Sequence, residues 1–369
     1  MIFCNKCFIN EEISSIIKSK QHKGNCPTCR NNDVYLYNTD LFNELNGKFD
    51  EIIEIYTPEN QLPLNFPVKE KAYLKDHLKN DWSIFNKNLS SDVIYDIIFS
   101  VSREMYDIYP EMFTSPIGLS QLCDEEYLEQ NMIIKGKSWD DFVEIIKHIN
   151  RFHSNCFNNE IFKELLAYTL KHYKKGIKLF RGRICEKEEG FDAENLKPPP
   201  KDRVCEGRAN STGIRRLYLS NNIVTTFYET RCIQYDFITV GTFELLEDIN
   251  VVDFTAINNI NPFLEDFNLV RYLVNKRCLD RMSHEMSKNV KSKVNSLEYI
   301  PTQFITDFIN SIYHKDTEGN IIYDYQGIEY ESTLNSGWRN LVIFNPDLFS
   351  CNNVETYKVS QLNYQYYLA

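Results

Sequence analysis

A chain of 369 residues with 43% hydrophobic and 14% aromatic content has enough apolar material for two or three domains and is not a disordered polymer. Its net charge of −11 excludes broad electrostatic adhesion to nucleic acid, yet leaves room for a local basic pocket around one small anion. The opening MIFCNKC lacks a signal-peptide pattern and no run of about 18 apolar residues occurs, so a cytoplasmic protein without a membrane span is expected.

Residues 1 to 38 hold Cys4-x-x-Cys7 and Cys26-x-x-Cys29, then the strand-like Val34–Tyr37. Eleven cysteines are an odd set, and four of them form these short pairs, which fits a reducing compartment better than a secreted disulfide framework. Two such pairs suit tetrahedral Zn²⁺ held by Cys4, Cys7, Cys26 and Cys29, with an intervening hairpin bringing the knuckles together. Four protein ligands leave no open position, so the metal is expected to be structural. The segment is too small for a core of its own, and metal binding would supply much of its folding energy. Lys6, Lys18, Lys20, Lys23 and Arg30 outnumber Glu11 and Glu12. This small ribbon therefore either contacts a protein or nucleic acid, or caps and stabilises the helical region C-terminal to it.

Residues 40 to 175 read mostly as helices. Leu41–Ile55 is one. Val93, Ile94, Ile97, Ile98, Val101 and Met105 form an apolar face at helical spacing behind a cap at Ser91. Trp139–His148 follows Ser138 as cap, and Ile161–Tyr173 carries Phe162, Leu165, Leu166 and Leu170 on one side. Pro58, Pro63 and Pro67 mark an early connector.

From Ile177 the texture changes. Ile177–Ile184, Arg215–Leu219, Asp236–Leu246 and Val251–Phe254 read as strands, and Pro198 to Pro200 form a loop. Phe263–Met286 and Thr302–Tyr313 return to helical period. Gly327–Glu331, Leu341–Phe344 and Thr356–Val359 close with strand character. Strands and helices mixed without regular βαβ alternation predict an α+β fold.

The chemistry is concentrated here. Phe180-Arg181-Gly182-Arg183 precedes Gly207-Arg208-Ala209-Asn210 and Gly213. Leu217-Tyr218-Leu219-Ser220 and Phe227-Tyr228-Glu229 come next, and Tyr330-Glu331-Ser332 much later. Arginine forks bind phosphate oxygens, an aromatic face stacks on a flat base, and a carboxylate steadies positive charge developing on a sugar carbon. Arg181, Arg208, Tyr218 and Glu229 supply those groups, with Arg183 a rival to Arg181 on the same strand face.

The order of these pieces resembles the RES family, named for Arg, Glu and Ser. Arg181 looks like its strand-borne arginine, Arg208 and Asn210 like its glycine–arginine turn, Tyr218 like its pocket tyrosine, Glu229 like its helix glutamate and Ser332 like its late serine. Ala209 departs from the pattern, which is usually aromatic there. The resemblance covers residues from about 177 to 345 and implies an ADP-ribosyltransferase-like α+β domain over residues 177–369, with a HEPN-like helical region at 40–175 and the zinc ribbon at 1–38. It further implies NAD⁺ as substrate and cleavage of the nicotinamide–ribose bond. Arg181, Arg183, Arg208, Asn210 and Tyr218 would bind the dinucleotide, with Arg181, Tyr218, Glu229 and Ser332 at the reacting end. A regulated toxin or defence effector with an antitoxin or regulatory partner is the expectation. ADP-ribosyl transfer to a protein target, or a non-enzymatic binding module on a degenerate RES domain, are the alternatives.

Other signals are weaker. Arg277 and His284 share one helical stretch, as the catalytic pair of HEPN ribonucleases does, but in the RES-like region. His148 and His153 lack metalloprotease spacing. Cys185 and Cys205 have no histidine nearby in sequence.

Overall fold

The computed structural model describes residues 1–288, 296–332 and 337–362. Two compact units emerge: Met1–Lys137 with Asn258–Cys278, and Ser138–Ile257 with Leu279–Ala369. Helix Leu269–Ser287 contributes its first residues to one and its last to the other.

In the first unit, strands β1 (Ile2–Cys4), β2 (Lys23–Gly24) and β3 (Val34–Asn38) form a small antiparallel sheet in the order β1-β3-β2. The segment between the cysteine pairs differs from the expected hairpin: it is mainly a helix, Glu11–Ser19. Asn10 caps that helix by accepting from the Ile13 amide, and Ile13 and Ile17, four apart, are buried on one face. The cysteine segment is not a free-standing knuckle. Phe8 bridges Phe85, the Ile9 amide donates to the Ile84 carbonyl at 2.9 Å, and the Asn86 amide donates to the Cys7 carbonyl at 2.8 Å. Stacked Phe3 and Tyr37 continue the same core.

The expected helix Leu41–Ile55 shrinks to Asp50–Glu54. Gly47 stands at φ +69° and its amide donates to the Val101 carbonyl, which breaks helical continuity. Helix Ser91–Val101 forms where the apolar spacing predicted, although its cap is Ser90 rather than Ser91. Short strands β4 (Thr57–Pro58), β5 (Ala72–Tyr73) and β6 (Pro116–Gly118) make a second small sheet, ordered β4-β6-β5.

The second unit opens on helix Trp139–Glu144, set by a capping box between Ser138 and Asp141 and continued by a π-helical turn, Ile145–Ile149. Helix Asn159–Ala167 then stops short of the predicted end, and Leu170–Tyr173 becomes β7. The remaining strands are β8 (Lys178–Cys185), β9 (Leu217–Ser220), β10 (Phe237–Leu245), β11 (Ile249–Asp253), β12 (Tyr313–Lys315), β13 (Ile321–Tyr323), β14 (Gly327–Glu331), β15 (Arg339–Ile343) and β16 (Phe349–Lys358). Eight of the strands in this unit form one sheet in the order β16-β10-β8-β9-β15-β14-β11-β7, while β12 and β13 pair as a separate hairpin. The β11–β14 pair is parallel; its neighbours pair antiparallel. This is an α+β fold.

One face of the sheet is apolar. Leu179, Leu217, Leu219, Phe243, Leu341 and Ile343 are buried together there, at alternate positions of their strands. Helix Ile300–Ser311 packs Phe304 and Phe308 against Phe157, and Phe304 also meets Phe142. Helix Ile223–Thr230 lies over β8, and the absence of a side chain at Gly182 permits its approach: a Cβ there would stand 3.0 Å from Thr226 Cβ.

Candidate active site

The sheet is nearly parted between β8 and β9. These strands pair through Phe180 opposite Ser220 alone, whereas β8 follows β10 along its whole length. Register then runs straight across four strands. Phe180 faces Ser220, Ser220 faces Asn340, and Asn340 faces Tyr330. A cavity of about 220 Å³ opens over this row, lined also by Arg181, Tyr218 and, from helix Ile223–Thr230, Thr226, Glu229 and Thr230.

Glu229 is the best-held group. Its Oε1 accepts from Ser332 Oγ at 2.7 Å and from Asn340 Nδ2 at 2.7 Å, and Asn340 Oδ1 in turn accepts from Ser220 Oγ at 2.6 Å. Ser332 is buried and the glutamate itself is exposed, so a fixed carboxylate faces open space. Charge-assisted bonds of this kind orient a carboxylate strongly.

Tyr218 is equally fixed. Its hydroxyl donates to Asn210 Oδ1 at 2.7 Å and accepts from the Ala209 amide at 3.1 Å. Gly207 makes room for it, since a Cβ at that position would lie 2.9 Å from the phenol oxygen. The Gly207–Asn210 turn is therefore a holder for this ring. Burial pushes the Tyr218 phenol up to about 12, so it stays protonated at neutral pH.

Arg181 lies on the same face of β8 as Leu179, and its Nη1 donates to the Tyr218 carbonyl at 3.2 Å. Its buried Nε has no hydrogen-bond partner among the described residues. Burial lowers this guanidinium to about 10, with Arg183 nearby adding to the effect and Tyr218 opposing it. An incompletely paired buried cation favours an anionic or strongly accepting ligand.

The remaining sequence candidates lie elsewhere. Arg183 is exposed, donates to the Asn195 carbonyl at 2.8 Å and sits over the Phe191 ring at 4.7 Å. Arg208 donates to the carbonyl of Glu285 at 3.4 Å and also to those of Met286 and Lys288. That places its charge at the C-terminal end of helix Leu269–Ser287, where a cation is favoured. Neither arginine lines the cavity. Asn210 acts on the site through Tyr218.

Sequence reasoning passed over Asn340 and, as a site residue, Tyr330. A polar residue directly before the apolar run Leu341-Val342-Ile343 was the one available signal for Asn340; its partnership with Glu229 depends on register. Arg277, paired with His284 in the sequence, is held by Glu70 at 2.7 Å.

In the first unit the four paired cysteines converge. Their Sγ atoms all lie within 4.8 Å of one another, with Cys4–Cys7 at 3.8 Å, Cys4–Cys29 at 3.4 Å and Cys7–Cys26 at 3.9 Å. A tetrahedron with metal–sulfur bonds of about 2.3 Å has sulfur–sulfur edges of roughly 3.8 Å, so the donor set fits a metal site. Asn31 Nδ2 donates to Cys29 Sγ at 3.1 Å, and the Cys29 amide to Cys26 Sγ at 3.5 Å. Such donors favour thiolates.

The second unit is thus defined as an α+β domain with a polar cleft at the parting of two central strands, its carboxylate held by a serine and an asparagine. Residues 183–366 match the family model of the RES domain, and the chain belongs to the RES family. The matched stretch begins two residues beyond Arg181. No curated protein and no solved structure was found to match the chain. RES domains are associated with NAD-related, toxin-like function, which assigns the chain broadly to NAD-utilising enzymes. Among the described residues, no helix is long and apolar enough to cross a membrane.

Proposed function

We propose that the second unit binds NAD⁺ and breaks its nicotinamide–ribose bond. The observation that carries this reading is convergence: Arg181, Tyr218 and Glu229, spread over two strands and a helix, line one cavity of about 220 Å³. Small-molecule pockets commonly measure about 300–1,000 Å³, so this space suits the nicotinamide riboside end of a dinucleotide whose remainder lies outward.

The bond between the anomeric carbon and the nicotinamide nitrogen breaks with its electron pair leaving on nicotinamide, which departs neutral. Positive charge then develops on the ribose, where the fixed Glu229 carboxylate stabilises it. Water adds its oxygen to the anomeric carbon and releases a proton, giving ADP-ribose. Ser332 and Asn340 keep Glu229 oriented. Tyr218 offers its ring to the base, and Arg181 offers a cation to the phosphates or to a carbonyl. An exposed glutamate also leaves the sugar open to other acceptors, including phosphate or a protein side chain. Purified full-length chain incubated with NAD⁺ tests the reading: free nicotinamide should accumulate as ADP-ribose forms. Label passing from NAD⁺ to a protein band instead would indicate transfer, and no nicotinamide release at all would overturn the reading.

For the first unit we propose structural Zn²⁺ on Cys4, Cys7, Cys26 and Cys29. Bound there, the ion would cross-link β1, the turn before helix Glu11–Ser19 and the loop ahead of β3, with no ligand position left for chemistry. Toxicity and control by a partner protein are expectations attached to the family.

A further inference from the structure

The cavity contains two tyrosines in different states. The Tyr218 hydroxyl is saturated by Asn210 and Ala209. The Tyr330 hydroxyl has no hydrogen-bond partner among the described residues, although the residue is 7% exposed and lines the cavity. A buried phenol commonly finds a partner, and one left without is poised for a ligand.

Its place in the sheet says which part of a ligand it meets. Tyr330 stands directly across from Asn340 and two residues before Ser332. Asn340 and Ser332 are the two donors to Glu229 Oε1. Three polar side chains therefore sit at neighbouring positions beside Glu229, and two are already committed to its Oε1. The third is free. Glu229 Oε2 likewise has no hydrogen-bond partner among the described residues. A free donor thus shares the cavity with a free acceptor, which is the complement of a hydroxyl group. Arg208, with its guanidinium 5.7 Å from the Tyr330 ring centre, steadies the ring. Burial pushes the Tyr330 phenol up, so it remains a donor throughout the ordinary pH range.

We infer that Tyr330 is a substrate-binding residue forming a two-point clamp with Glu229: the phenol donates to a ribose hydroxyl that in turn donates to the carboxylate. The inference rests on the NAD⁺-cleaving function proposed above. It makes the site selective for a hydroxylated sugar at the bond that breaks, and assigns that selectivity to β14 as well as to helix Ile223–Thr230.

The test compares NAD⁺ with an analogue lacking the 2′-hydroxyl of the nicotinamide ribose, using full-length wild type and Tyr330→Phe. Phe keeps the ring and removes no protein hydrogen bond, so unfolding midpoints should coincide; Tyr330→Leu serves as a second variant if they differ. Wild type should favour NAD⁺ over the analogue in kcat/KM. The Phe variant should lose roughly tenfold or more on NAD⁺ while changing little on the analogue, so that the ratio collapses. An unchanged ratio in a variant that still releases nicotinamide overturns the clamp and leaves the proposed function standing. Absence of nicotinamide release from wild type overturns both.

Discussion

The Ser332 hydroxyl donates to Glu229 Oε1 at 2.7 Å although the two residues are 103 positions apart in the chain. Ser332 comes just after β14, a strand on the β9 side of the parting, while Glu229 rides a helix over β8 on the other side. The bond therefore ties the two sides of the parted sheet at the cavity. A carboxylate held this way loses little freedom when charge develops opposite it, which is the condition for electrostatic catalysis.

Glu229→Ala should lower nicotinamide release by roughly 100-fold or more, the scale seen when one preorganised charge-stabilising group is removed. The variant leaves the buried Ser332 and Asn340 donors without their acceptor, so it should also lose about 1–3 kcal/mol of stability, and turnover is compared well below its unfolding midpoint. Equal turnover in the two proteins would remove Glu229 from the mechanism.

Ser332→Ala and Asn340→Ala should each cost about tenfold in kcat, since each deletes one bond to a charged acceptor. The two donors share Oε1, so their effects should not add. A double variant no worse than the poorer single one is the expected result. Strict additivity would show that they do not act through a common carboxylate.

Gly207→Ala should destabilise the second unit by about 1–3 kcal/mol, because the new Cβ would meet Asn210 Oδ1 at 2.7 Å and the Tyr218 hydroxyl at 2.9 Å. Chemical denaturation followed by tyrosine fluorescence reads the loss. A smaller cost of Gly207→Ala in a Tyr218→Phe background than in wild type would show that crowding of the phenol oxygen contributes to the loss, the Asn210 contact remaining in both.

Much of this arrangement was legible in the chain itself. The strands Lys178–Cys185 and Leu217–Ser220 follow from local apolar pattern, whereas the helix carrying Glu229 was expected from the family resemblance alone, and the structure shows Asn222 capping it. The roles of Arg208 and Asn340 were not legible. Arg208 lies in a glycine turn that suits phosphate, yet carbonyls ending a helix 77 to 80 positions later occupy it. Asn340 matters through strand register, a non-local property that no window of sequence encodes. Leu170–Tyr173 read as helix because Leu170 continues the helical spacing of Phe162, Leu165 and Leu166. Pairing with β11 overrides that local preference.

Tyr218 gives a pH dependence with a definite sign. Its folded-state value of about 12 lies above the ordinary 10 of an exposed phenol, so the folded state holds its proton more tightly. The resulting stabilisation is fully present below pH 10 and declines as pH rises toward 12. Unfolding midpoints measured from about pH 9 to 11 should fall less steeply in Tyr218→Phe than in wild type. Identical slopes would mean that the phenol ionises as freely in the folded protein as in the unfolded chain.

The four-cysteine cluster yields the last prediction. Cys4 and Cys7 bracket the turn that leads into helix Glu11–Ser19, and Cys7 also offers its carbonyl to the Asn86 amide. Loss of metal should therefore loosen the sheet β1-β3-β2 and the Phe8–Phe85 contact along with it. Metal analysis of purified chain should find one equivalent of zinc. Cys26→Ser should lose it and lower the first thermal transition, since structural zinc contributes folding energy directly. Serine keeps the size of the side chain but replaces a thiolate with a poor zinc ligand, which separates metal binding from packing. Full zinc occupancy in Cys26→Ser would place the ion elsewhere, and full stability without zinc would reduce the cluster to four thiols that merely pack together.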